Sequence, residues 1–77
     1  MSMNILLNIV NTILSNKGWV SIERLSGSMK LREDLNFDSL DLAELTVRIE
    51  AQFGIDIFED GLVDTIGGIL DKLCIHE

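Results

Sequence analysis

Apolar residues recur at intervals of three and four over the first sixteen positions. Met3, Leu6, Leu7, Val10, Ile13 and Leu14 share one face at about 100° per residue, which predicts an amphipathic helix. Ile5 and Ile9 widen this stripe toward a second packing partner. Asn16, Lys17 and Gly18 end it, with a cation near the last carbonyls and a glycine free to turn left-handed. No sustained period runs through residues 18–37, and Ser26-Gly27-Ser28 marks a turn inside them. Trp19, Val20, Ile22, Leu25, Leu31 and Leu35 are nevertheless spread along the stretch. A loop this long in a small domain is either functional or tied down. Its apolar residues predict that it crosses the core, with Trp19 as an anchor and room for a short helical turn.

The segment from Asp38 to about Phe53 carries two apolar stripes. Leu42, Leu45, Thr46, Ile49 and Phe53 form the longer one and should face the core; Leu40, Ala43 and Val47 project roughly opposite. Asp38 is a good N-cap, and Asp41 adds a carboxylate beside the positive end of the helix dipole. Glu44 and Glu50 flank the shorter stripe. An exposed apolar strip edged by carboxylates has the character of a docking surface for basic proteins. Gly54 closes the helix. A short helix is expected around Phe58–Leu62, and Thr65 can cap a last helix with Ile66, Ile69, Leu70 and Leu73 on its apolar face. Gly67 and Gly68 inside that helix cost about 1 kcal/mol each against alanine, so it should depend on packing. The expected fold is all-α, a small bundle of three main helices and one short one with a long first loop, in a single domain over residues 1–77.

Composition narrows the function. The 77 residues are 47% hydrophobic and 25% charged, a globular balance near the lower size at which one core holds a fold unaided. Net charge is −7, unevenly placed. Over residues 1–32, Lys17, Arg24, Lys30 and Arg32 face only Glu23, for +3; over 33–77, twelve acids face Arg48 and Lys72, for −10. Such a surface repels nucleic acid and attracts basic protein patches. A lone cysteine, Cys74, forms no intramolecular disulfide and, with the single His76, makes no zinc site; a reducing, cytoplasmic setting fits it. A small buried or half-buried apolar residue at the edge of the last helix is the expectation for Cys74. No apolar run is long enough for a transmembrane segment, and no secretory leader is expected.

Ser39 is the candidate for chemistry. It stands between Asp38 and Leu40 at the start of the acidic helix, where a phosphate on its hydroxyl would meet free N–H groups and the helix dipole. Serine is also common at helix starts for capping alone. The run Leu31-Arg32-Glu33-Asp34-Leu35-Asn36-Phe37-Asp38-Ser39-Leu40-Asp41-Leu42-Ala43-Glu44-Leu45 resembles the acyl carrier protein family, and the likeness continues through Ile49-Glu50-Ala51-Gln52-Phe53-Gly54-Ile55-Asp56-Ile57. It covers essentially the whole chain. The resemblance implies that Ser39 receives 4′-phosphopantetheine from coenzyme A, delivered by a phosphopantetheinyl transferase, and that the arm's thiol carries acyl groups as thioesters. It implies a role beside the prosthetic group for Asp38 and Leu40, and partner docking through Asp41, Ala43, Glu44, Val47 and Glu50. The partners implied are acyl transferases, synthases and other acyl-processing enzymes with basic patches, met by a monomeric carrier of fatty-acid or polyketide type that is not itself an enzyme. Where the family usually has Leu-Gly, this chain has Leu35-Asn36; asparagine tolerates left-handed angles, so the turn survives. Phe37 and Phe58 also depart from the pattern, and Arg48 lowers the acidity of the helix edge.

Other readings are weaker. Asp34, Asn36 and Asp38 fit the first half of an EF-hand loop, but Ser39 stands where glycine is needed and Leu45 where a bidentate glutamate is required. One histidine supports no Ser/His/Asp arrangement, and the pairs Glu33-Asp34 and Glu59-Asp60 read as solvated surface. A peptidyl or aminoacyl carrier of nonribosomal assembly, or a plain helical interaction module using Leu40, Ala43 and Val47, are the remaining alternatives.

Overall fold

The first apolar stripe forms helix α1 (Ser2–Asn16) in a computed structural model, which describes residues 2–59 and 61–75. Leu6, Ile9, Val10, Ile13 and Leu14 are buried, Met3 and Leu7 half-buried, and Ile5 remains exposed. The helix stops as Lys17-Gly18 foretold. Gly18 adopts φ +78°, its N–H donates to the Ser15 carbonyl at 3.0 Å, and the Trp19 N–H reaches back to the Leu14 carbonyl at 2.9 Å. These two bonds satisfy carbonyls that the end of a helix otherwise leaves without partners.

Helix α2 (Ser39–Phe53) packs against α1 through Leu42, Leu45 and Ile49, all buried, with Thr46 and Phe53 half-buried. Gly54 ends it in the left-handed region and donates to the Glu50 carbonyl at 2.8 Å. Helix α3 (Ile66–Leu73) adds Ile66, Ile69, Leu70 and Leu73 to the same core. Its N-cap is Thr65, whose Oγ1 accepts the Gly68 N–H at 3.1 Å. Its C-cap is Cys74 at φ +58°, exposed where a buried or half-buried residue was expected, because the cap position lies past the last residue that α3 packs on the core. No helix among the described residues is long and apolar enough to cross a membrane.

The short helix expected around Phe58–Leu62 is instead a pair of turns among the described residues. Asp56 Oδ1 accepts the Phe58 N–H at 3.0 Å, the Glu59 N–H meets the Asp56 carbonyl at 3.3 Å, and the Gly61 N–H meets the Phe58 carbonyl at 3.2 Å. An aspartate bonding two residues ahead favours a turn over a helix, and Gly61 at φ +133° lies outside helical space. Ile57 is fully buried there and pins the turns to the core. Asp60 and His76 lie outside the described residues.

The long first loop is tied down, as expected, but by backbone bonds more than by its tryptophan. Trp19 is 49% exposed and Val20 86%, so neither anchors the loop. The anchor at its start is Asn11: its side-chain amide donates to the Ile22 carbonyl and accepts the Ile22 N–H, each at 2.9 Å. Ile22, Leu25 and Met29 then pack on the core. Further along, the loop is stitched to the start of α3. Leu31 N–H meets the Asp64 carbonyl at 2.7 Å, Ile66 N–H the Met29 carbonyl at 2.9 Å, and Gly67 N–H the Gly27 carbonyl at 2.9 Å. A turn over residues 31–35 supplies the short coil foreseen inside the loop.

That stitching explains the glycine pair. A Cβ on Gly67 would lie 2.8 Å from the Gly27 carbonyl oxygen, a backbone atom that is itself bonded to Gly67. A Cβ on Gly68 would lie 2.8 Å from the Val63 Cγ1 and 3.5 Å from the Thr65 Oγ1, both side-chain atoms and not backbone. Alanine at either position raises helix propensity by about 1 kcal/mol. Gly67→Ala should nonetheless destabilise by about 1–2 kcal/mol, lowering Tm by roughly 4–8 °C per kcal/mol. Gly68→Ala should shift Tm by much less. Thermal unfolding of the two variants side by side checks the contrast, and a stabilised Gly67→Ala would contradict the close approach.

Candidate functional site

The site is the start of α2. Asp38 precedes the helix with extended backbone (φ −95°, ψ −175°), and its Oδ1 accepts the Asp41 N–H at 2.9 Å. Asp41 Oδ2 in return accepts the Asp38 N–H at 3.0 Å. This reciprocal box satisfies two of the donors that a helix start leaves open and fixes the angle at which the chain enters the helix. Between the two aspartates, Ser39 is exposed as the first helical residue. The N–H groups of Ser39 and Leu40 belong to the first turn, so no carbonyl four residues back in the helix can receive them.

A lysine just past the end of α1 completes the arrangement. Lys17 Nζ donates to Asp41 Oδ2 at 2.6 Å and also to the Asn36 carbonyl. Its ammonium lies 5.8 Å from the centroid of the Phe37 ring, within cation–π range. Asn36 takes φ +57°, the left-handed angle predicted for it, and this turn sends Phe37 into the core, where it is 2% exposed. Phe37 therefore faces inward and stays off the outer surface. Lys17 had read only as a cation ending α1; with Asp41 lying 24 residues further along the chain, no local spacing marks the pair.

Asp41 has a different role from the docking residue expected. It is 8% exposed, and its carboxylate is committed to Lys17 and to the Asp38 backbone. Burial pushes its carboxyl upward, but the hydrogen bond from Lys17, the Asp38 N–H and the Lys17 charge outweigh burial and hold it below the usual carboxylate range. The other residues named for docking are displayed: Leu40 is 78% exposed and Val47 68%, with Ala43 between them and Glu50 exposed at the edge. Glu44 is half-exposed and paired within the helix to Arg48 Nε at 2.7 Å, so part of its charge is already answered.

Beside Ser39 lies an open groove of about 310 Å³, lined by Ser39, Leu42, Ala43, Arg32, Phe58 and Leu62. Its floor is apolar, and Leu62 is almost wholly exposed. The calcium reading finds no support in the same region. Asp34 Oδ2 accepts the Lys30 N–H at 2.7 Å and Asp38 Oδ1 caps α2, so the two carboxylates serve separate local bonds.

The start of α2 thus displays an exposed hydroxyl on a capped helix end, with open first-turn N–H groups and a groove alongside. The family model described as the phosphopantetheine attachment site matches residues 4–72, and the chain belongs to this family of acyl carrier proteins. The acyl carrier protein of Thermotoga maritima is 35% identical over 66 residues, covering 83% of this chain and 82% of the relative. That of Chlamydia trachomatis is 34% identical over 70 residues, covering 88% and 91%. That of Saccharopolyspora erythraea is 30% identical over 64 residues, covering 80% and 67%. No solved structure matches the chain.

The depressed Asp41 carboxyl gives the site a pH signature. A group whose pKa falls on folding contributes stability that is present above its unfolded value and lost as pH drops through its folded value. Asp41→Asn keeps the capping oxygen and removes the charge. It should lower stability at pH 7 by about 1 kcal/mol, the difference between a charged and a neutral hydrogen bond, or about 4–8 °C in Tm for a domain of this size. The gap to wild type should narrow as pH falls below 4. Thermal melts between pH 7 and pH 3 check this, and a gap that is constant with pH would contradict the ion pair.

Proposed function

We propose that Ser39 is the residue that bears the phosphopantetheine, in a single carrier domain spanning residues 1–77. Family membership makes the chain a phosphopantetheine-dependent acyl carrier; the observation that carries the assignment to Ser39 is its exposed position at the start of α2. The residues there fit the group. The open N–H groups of Ser39 and Leu40 and the positive end of a fifteen-residue helix favour a phosphodiester on the hydroxyl. The capping box and Lys17 keep that helix end in place, so that an incoming enzyme meets the hydroxyl in one orientation. When bound, the prosthetic group supplies a thiol that holds acyl cargo as a thioester.

The outer face of α2 is the docking surface in this reading. Leu40, Ala43 and Val47 supply an apolar strip, and Glu44 and Glu50 supply charge at its margins. The partners are a phosphopantetheinyl transferase and acyl transferases or synthases with basic patches, drawn by the −10 of residues 33–77. The relatives named as acyl carrier proteins support acyl cargo, which in this reading is of fatty-acid or polyketide type. The exposed, unpaired Cys74 fits a reducing cytoplasm, and a monomer leaves the docking strip open to its enzymes.

Two experiments test this reading. Incubated with coenzyme A and a phosphopantetheinyl transferase, the wild-type chain should gain the mass of one arm and Ser39→Ala none; a gain in Ser39→Ala would overturn the assignment. Val47→Asp should lower kcat/KM for loading by roughly tenfold, as expected for a centrally placed contact, with Tm almost unchanged because Val47 is exposed. Loading at the wild-type rate would exclude this face.

A further inference from the structure

Arg32 is the one cation among the residues that line the groove beside Ser39. Its acidic neighbours are occupied elsewhere. Glu33 pairs with Lys30 at 3.4 Å, and Asp34 accepts the Lys30 N–H. Arg32 itself is exposed and has no ion-pair partner among the described residues. A guanidinium with no ion-pair partner among the described residues, on the rim of an apolar groove, is suited to an anion that arrives with a ligand. The anion closest at hand in the carrier reading is the phosphodiester on Ser39 itself.

Resting on that reading, we propose that Arg32 is a positioning residue for the prosthetic arm, one that holds the phosphodiester at the groove and turns the arm over Leu42, Ala43, Phe58 and Leu62. The electrostatics give it a task. A phosphodiester on Ser39 would be attached one residue from Asp38, and the helix start alone would answer only part of the repulsion between them. A guanidinium offers paired N–H donors that match phosphate oxygens in a fixed fork, which a point charge does not. The turn over residues 31–35 is itself fixed, because the Leu31 N–H is bonded to the Asp64 carbonyl and the Phe37 N–H to the Leu31 carbonyl at 3.0 Å. Arg32 therefore projects from a rigid base, and the resting direction of the arm becomes a property of the protein.

The test compares apo and holo forms of wild type, Arg32→Gln and Arg32→Lys, with full occupancy of the arm first confirmed by intact mass. A wild type that takes up no arm would overturn the carrier reading at that step, separately from the role of Arg32. In low salt, arm attachment should raise Tm in wild type by about 2–5 °C more than in Arg32→Gln, the scale of one solvent-exposed charged contact in a domain of this size. Arg32→Lys should recover part of the difference, and 0.5 M salt should close it. The Nε–H resonance of Arg32 should also move between apo and holo wild type. Equal increments in the three fully loaded proteins, or an unmoved Arg32 resonance, would overturn the proposal.

Discussion

The bond from Lys17 to Asp41 is the constraint on which the rest of the site depends. It ties the end of α1 to the start of α2 at 2.6 Å and at the same time takes the Asn36 carbonyl, so one ammonium holds the entering chain and the helix together. Asp41 is shared between that ammonium and the Asp38 N–H, which makes the helix cap and the interhelical contact a single unit. Both ionic partners are mostly buried, where unpaired charge would be costly; breaking either side therefore removes more than a surface pair would. Ser39 lies inside this unit without taking part in it. Its hydroxyl is left exposed because its neighbours on either side do the capping.

The same division of labour runs along α2. Its inner face is committed to the core through Leu42, Leu45 and Ile49, while Leu40, Ala43 and Val47 stand outward on a helix held at both ends by caps. An apolar strip of this kind is stable in water only because the helix beneath it is secured by burial on the opposite side. The long first loop contributes at a distance. Gly27, Met29 and Leu31 bond to the segment around the start of α3, and the Leu31 carbonyl accepts the Phe37 N–H, which holds the Asn36 turn where Lys17 can reach it.

Periodicity was enough to read all three helices, both faces of α2 and the exposed strip, since each is encoded by spacing within one segment. The left-handed turn at Asn36 was legible from side-chain chemistry, and the exposure of Ser39 from its place at the helix start. What escaped depends on contacts between distant segments. Asp41 looked like a displayed acid because nothing local announces Lys17. Trp19 looked like an anchor on hydrophobicity, whereas two bonds from the amide of Asn11 do the anchoring. Gly67 and Gly68 read as helix weakeners, and only the approach of the Gly27 carbonyl shows why the first of them has no room for a side chain. The turns at Phe58 resembled a short helix until Asp56 and Gly61 were seen to divert the backbone.

The central claim is that one hydroxyl, fixed at the start of α2, receives the prosthetic arm. The chain has six serines, and Ser21, Ser26 and Ser28 also lie on the long loop, two of them exposed. Tandem mass spectrometry of the loaded protein locates the modification directly. It should place the whole of the phosphopantetheine on Ser39, and an arm found on any other serine would contradict the role given to the helix start.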